Sequence, residues 1–143
     1  MKPIKHAQAF ALTLHDMSKE EEIIHKQICQ YIRTQWPHPI VIFSSEPSGL
    51  RLPIGQAKKL KALRSGPKLP DLWILEPRWG FAGLLIEIKT EDANMNTPHV
   101  KEQAELLKIL SAKGYEAVFG IGFDKTKEIV DRYLKGNYTI TNR

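Results

Sequence analysis

Apolar positions along the chain recur in two rhythms, and the rhythm changes mark the elements. Ile24, Ile28, Tyr31 and Ile32 follow helical spacing. Ser18 is placed as an N-cap before them, with Glu21 three residues on as its capping-box partner. Trp36-Pro37-His38-Pro39 ends this helix. Ile40-Val41-Ile42-Phe43 predicts a short β-branched strand, followed by a Ser, Pro and Gly-rich loop over 44–55. A short basic helix is predicted from Gln56 to Arg64, broken by Ser65-Gly66-Pro67. Two strands follow, Asp71–Leu75 and Gly83–Lys89, joined through Glu76-Pro77-Arg78-Trp79-Gly80. Pro98 opens a helix that runs to Lys113 and stops at Gly114, with Val100, Leu106, Leu107 and Leu110 apolar. Tyr115–Ile121 reads as a strand and Asp124–Leu134 as a last helix, with Ile129, Val130, Tyr133 and Leu134 on its inner side. The order is αβ(α)ββαβα, an α/β architecture with a central mixed sheet flanked by helices. Residues 1–17 show no clear periodicity and read as an N-terminal arm. Residues 18–135 form the domain, and 136–143 a C-terminal tail.

The two central strands carry the candidate chemistry. Pairing them antiparallel about Trp79 sets Asp71 opposite Glu87, on one face and roughly 5 Å apart at Cβ. Lys89, two residues beyond Glu87, shares that face. The remaining positions, Leu72, Ile74, Leu84, Leu85, Ile86 and Ile88, leave little polar surface, as suits a sheet covered on both sides. An Asp–Lys ion pair on an exposed hairpin would need no further explanation. Two acids and an amine on strands built for burial call for compensation, which a divalent metal and a phosphate would supply.

Composition narrows the partners. The chain has 143 residues, enough for one domain, with 42% hydrophobic and 26% charged residues. A net charge of +5 leans towards an anionic partner. The single cysteine, Cys29, excludes an internal disulfide and a cysteine-based zinc site, and a reducing cytoplasm fits it. His6, His15, His25, His38 and His99 are scattered without metal-ligand spacing. No segment reaches the ~20 apolar residues of a membrane span, so no membrane partner is expected. The apolar run from Ala7 to Leu14 is interrupted by Gln8 and Thr13 and does not read as a signal peptide.

Pro70-Asp71 followed by Glu87-Ile88-Lys89 resembles the PD-(D/E)XK nuclease signature. The longer series resembles the VRR-NUC branch: Gly66-Pro67-Lys68-Leu69-Pro70-Asp71-Leu72-Trp73, then Gly83 to Lys89, then Gln103 and Gly114-Tyr115. It covers about residues 18–135. Lys68-Leu69 stands where that family often has Gly-Val, which changes the loop and leaves the acids intact. The resemblance implies a restriction-endonuclease-like core and metal-dependent hydrolysis of DNA phosphodiester bonds, with Mg²⁺ as cofactor and Mn²⁺ able to substitute. It implies Asp71, Glu87 and the Ile88 carbonyl as metal ligands, Lys89 as the catalytic amine and Gln103 beside the amine and acid. It also implies a further metal-site acid, a catalytic residue and metal ligand, from the first helix. Glu21 is preferred because it shares the face of Ile24 and Ile28, and Glu22 is the alternative.

Branched or structured DNA, such as a Holliday junction or flap, is the substrate the resemblance favours. Two symmetry-related sites in a homodimer would suit paired incision. Lys58, Lys59, Lys61 and Arg64, with Lys68 and Arg51 flanking, are candidate phosphate contacts. Ser44, Ser45 and Glu46 lie in the preceding loop and are further candidates to face DNA, while Trp73 and Trp79 could stack on bases but are expected instead in the sheet and in an exposed turn. The compact form fits a bacterial or phage-encoded protein. The competing reading is a catalytically silent DNA-binding module with the same fold.

Overall fold

A computed structural model describes residues 4–47 and 52–136, with side chains from residue 19 onwards. The elements are α1 (Ile4–Gln35), β1 (Phe43–Ser45), α2 (Ile54–Ala62), β2 (Leu72–Ile74), β3 (Leu84–Lys89), α3 (Pro98–Ala112), β4 (Glu116–Ile121) and α4 (Gly122–Lys135). The strands form one sheet in the order β1-β2-β3-β4. β1 and β2 pair antiparallel, as do β2 and β3, while β3 and β4 run parallel through the α3 crossover. The result is the mixed-sheet α/β arrangement expected of a restriction-endonuclease-like core. Among the described residues no helix is long and apolar enough to cross a membrane.

All six residues of β3 are buried, because helices cover both faces. Leu84, Ile86 and Ile88 point to one face, where Ile28 and Ile32 of α1 and Val130, Tyr133 and Leu134 of α4 meet them. Leu85 points to the other, against Leu107 of α3 and Ala117 of β4. Full burial of each large apolar side chain stabilises the fold by about 1.5–3 kcal/mol. The period of two leaves Glu87 and Lys89 on the α3 face, set apart from the larger core.

The hairpin register is the one centred on Trp79: Leu72 faces Ile86, Trp73 faces Leu85 and Ile74 faces Leu84. Its tip is pinned to the end of α4. Arg78 donates to the Leu134 carbonyl at 2.5 Å, and Trp79 Nε1 to the Tyr133 carbonyl at 2.9 Å. These carbonyls lie in the last helical turn, where no backbone partner is available. Tyr133 returns a bond from its hydroxyl to the Glu76 carbonyl at 2.6 Å. α3 starts as expected at Pro98, with Thr97 as its N-cap accepting from the Val100 amide at 3.2 Å. Gly114 closes the turn after it at φ 101°, a conformation costly for other residues.

Two sequence expectations are corrected. α1 begins at Ile4, so Ser18 lies inside a helix and is not its N-cap, and most of the expected arm is helical. No proline interrupts the run after Pro3, and Ala7, Ala11 and Leu14 are good helix formers. The first strand lies at Phe43–Ser45, overlapping the expected 40–43 only at Phe43. Residues 37–40 instead form a turn in which the Ile40 amide donates to the Pro37 carbonyl at 2.8 Å. Arg51 and the C-terminal tail from 137 lie outside the described residues.

Gly120 of β4 sets the distance between sheet and helix. A Cβ there would meet the Thr126 hydroxyl and lie 2.9 Å from Ile86 Cγ2. Thr126 is fully buried and cannot swing away. Gly120→Ala is expected to lower stability by about 1–3 kcal/mol, measured as a lower urea midpoint with an unchanged m-value. A midpoint equal to wild type would show that β4 and α4 can separate freely.

Candidate functional site

The chemistry gathers where the β2–β3 ladder ends. The register would bring Ile88 opposite residue 70, which is a proline and has no N–H to give. The Pro70 carbonyl is taken by Trp73 Nε1 at 2.7 Å. The Ile88 amide therefore turns to the side chain of Asp71, donating to Oδ2 at 2.9 Å. In a strand the N–H and C=O of one residue point to the same side, so the Ile88 carbonyl also faces this gap.

Across from Asp71, Glu87 is 4% exposed. Its Oε1 accepts from Gln103 Nε2 of α3 at 2.7 Å. The Gln103 Oε1 atom is buried and has no partner among the described residues. Burial, reinforced by the Asp71 carboxylate, pushes Glu87 up to about 8 from an ordinary 4.5, against the opposing charges of Lys68 and Lys89. The neighbouring Asp71 charge and the poorly solvated place favour the protonated form of Glu87. Positive charge brought to the gap would release the proton.

Lys89 is buried, and its Nζ lies 3.8 Å from Glu21 Oε1. α1 reaches Lys89 through Glu21, while Glu22 lines the same cleft and pairs there with Lys26 at 3.0 Å. Burial raises the Glu21 carboxyl, while Lys89 opposes that shift. Asp71, Glu87, Lys89, Gln103 and Glu21 all line one cleft of about 590 Å³. Among the described residues no three His, Cys, Asp or Glu side chains form a metal-binding group. Asp71, Glu87 and the Ile88 carbonyl are the oxygen groups at the gap that could hold a cation, and Glu21 stands on the lysine side. Mg²⁺ commonly takes one or two carboxylates and keeps its remaining positions for water and phosphate, so this pair suits it.

The basic residues divide. Lys68 lines the cleft, and its charge acts on Glu21 and Glu87. Lys58, Lys59 and Lys61 are exposed on α2, away from the cleft lining. Arg64 corrects the sequence expectation of a phosphate contact. Its guanidinium pairs with Glu46, whose side chain is buried, and Arg64 itself is mostly covered. The Glu46 amide in turn donates to the Asp71 carbonyl at 2.8 Å, so this ion pair braces the acid's own backbone. Trp73 packs within the sheet layer, and Trp79 is spent on the end of α4.

His25 is a cleft residue that its scattered position in the sequence concealed. Its Nε2 lies 2.8 Å from Ser45 Oγ, and burial pulls the imidazole below its ordinary pKa. Cys29 and Arg33 also line the cleft. The signal was available as spacing: Glu21, His25, Cys29 and Arg33 stand four residues apart, on one helix face.

No family model matches the chain, and no curated protein matches it. Among solved structures it is similar to a "VRR_NUC domain protein", at 31% identity and a TM-score of 0.45. The match covers 60% of this chain and 66% of the other, just under two thirds of that protein's length.

The shifted Glu87 gives the metal-free protein a distinctive pH dependence. Its folded pKa is raised, so the stability from holding the proton is fully present below about 4.5 and is lost as pH rises through about 8. The metal-free thermal midpoint is expected to fall across that window. Glu87→Gln should flatten the fall and melt higher than wild type at the alkaline end. A wild-type midpoint that climbs over the same range would show that Glu87 is already ionised.

Proposed function

We propose that the chain is a VRR-NUC-type nuclease that hydrolyses DNA phosphodiester bonds with Mg²⁺ or Mn²⁺, and that branched or otherwise structured DNA is its substrate. The observation that carries this reading is the ladder end itself. Asp71 and Glu87 face one gap, and Lys89 shares their face one pleat further on. The ordered motif series from Gly66 to Tyr115 adds to it.

In this reading Asp71, Glu87 and the Ile88 carbonyl hold the metal. The metal, when bound, supplies Lewis-acid activation of water and offsets charge on the phosphate. Asp71 is oriented by the Ile88 amide and Glu87 by Gln103, so neither carboxylate must give up rotamer freedom when substrate arrives. Lys89 stabilises charge that develops on the phosphate and orients the attacking water. Glu21 holds the Lys89 ammonium between the helix and the acids, and its near approach keeps that amine facing the cleft. Lys68 adds positive charge at the rim, where a phosphate backbone would enter. A homodimer would present two such sites related by a twofold axis, suited to paired cuts in a junction.

The test is a panel of linear, flap and four-way DNA incubated with Mg²⁺ or Mn²⁺. Wild type is expected to cut, with branched forms preferred over linear duplex. Asp71→Ala and Lys89→Ala should each lose about 100-fold or more in kcat while retaining DNA binding. Binding by wild type without any cutting would replace the enzyme with a silent DNA-binding module, and absence of both would remove nucleic acid from the account.

A further inference from the structure

Glu46 lies where two cavities meet. It lines the cleft that holds Asp71 and Glu87, and it lines a second cavity of about 650 Å³ between α2 and the sheet. Leu60 of α2, then Leu63, Arg64, Leu69 and Trp73, bound that second cavity. No residue of α2 is buried, and Leu63 at its end is 83% exposed. A helix this short is marginal in water without packing, so something else must seat it. The Arg64 guanidinium, just beyond α2, bonds the Glu46 carboxylate and ties the segment to the sheet.

Stability alone does not call for charges here. A buried ion pair is often no better than apolar residues of the same volume. Arg64 is also poorly placed to meet a phosphate, since its side chain is only 17% exposed. What the pair does reach is Asp71. Ser45 faces Leu72 in the last rung of the β1–β2 ladder, so Glu46 stands opposite Asp71 one position on. The Glu46 amide donates to the Asp71 carbonyl at 2.8 Å. Asp71 itself precedes β2 and follows Pro70. Its backbone is fixed by Glu46 and its carboxylate by the Ile88 amide. Loosening Glu46 removes the first of these two restraints.

We propose that Arg64 and Glu46 are positioning residues for the nuclease reaction. Acting through the Glu46 amide, they set Asp71 for the metal and make its placement depend on the seat of α2. The inference rests on the nuclease reading above and deepens it. Partners that orient a metal ligand commonly govern affinity or activity by about 10-fold to 100-fold. A change on the outer face of α2, remote from the acids, therefore reaches the metal through this pair.

The experiment measures Mn²⁺ affinity by calorimetry without DNA, and kcat and KM for DNA cutting, each well below the melting range of the protein used. The proteins are wild type, Arg64→Ala, Arg64→Lys, Glu46→Gln/Arg64→Met and Ala57→Gly/Ala62→Gly. The Glu46→Gln/Arg64→Met variant removes both charges together and carries the test if Arg64→Ala does not fold. The glycine pair lies at exposed positions of α2 and lowers helix propensity without removing a buried contact. Loss of the pair is expected to weaken Mn²⁺ binding and lower kcat by about 10-fold each, with KM for DNA within about twofold. Arg64→Lys should restore both, and the glycine pair should weaken Mn²⁺ binding by about threefold. A raised KM with unchanged kcat overturns the proposal, since Arg64 would then be a phosphate contact. A lower melting midpoint with Mn²⁺ affinity and kcat unchanged also overturns it, as does a glycine pair that binds Mn²⁺ like wild type. If wild type binds Mn²⁺ with the expected pattern and cuts no DNA, the nuclease reading falls and the positioning role stands. If wild type cuts and Mn²⁺ affinity never changes, the reverse holds.

Discussion

The Asp71 carboxylate takes a hydrogen bond that a regular ladder would give to a backbone carbonyl. The cause is local: residue 70 is proline, and its own carbonyl is claimed by Trp73. Everything at the site follows from this interruption. The strand pair ends without unravelling, because Asp71 substitutes for the missing partner. The Ile88 carbonyl faces a place with no ladder donor. Glu87 arrives opposite Asp71 by the register, and burial turns their proximity into an electrostatic problem. A proline just before a strand removes a donor that the ladder could otherwise use. Here it opens a gap with oxygen ligands on its rim.

A second brace works from the other side of Asp71. Glu46 is buried, binds the Asp71 carbonyl through its amide and is held by Arg64 at the end of α2. A carboxylate sealed from water needs such a partner, and losing the partner costs more than the pair contributes. The Arg64 guanidinium thus serves the fold, and the positive face of α2 is smaller than its composition suggests. The cleft's cations are Lys26 and Arg33 of α1, Lys89 of β3 and Lys68 of the loop before β2.

The legible parts of this structure are those set by short-range periodicity. The hairpin register could be read because the apolar alternation and the Pro77–Gly80 turn agree on one centre, Trp79. The helix after Pro98 and the parallel β4 were legible for similar reasons. The first strand was not. Ile40-Val41-Ile42 has strand composition, but flanking prolines and the Pro37–Ile40 bond hold its start in a turn. Phe43-Ser44-Ser45 pairs only because β2 lies beside it, a contact that spans nearly 30 residues and leaves no local mark. Arg64 was misread for a related reason, since its partner's burial depends on the whole fold. Glu21 was legible from its inward face, whereas the His25–Arg33 stripe mixes residue types that periodic hydrophobicity does not detect.

The bonds from Arg78 and Trp79 to the last carbonyls of α4 have a consequence for the opposite end of the hairpin. A slip of one residue between β2 and β3 would turn alternate side chains to the other face and part Asp71 from Glu87. The same slip would drag the tip off the helix terminus and leave those carbonyls bare. Misalignment is thus penalised twice, at two places that share no atoms. The end of α4 acts as a proofreader of strand alignment, and the spacing of the acids is checked by contacts that never meet a substrate.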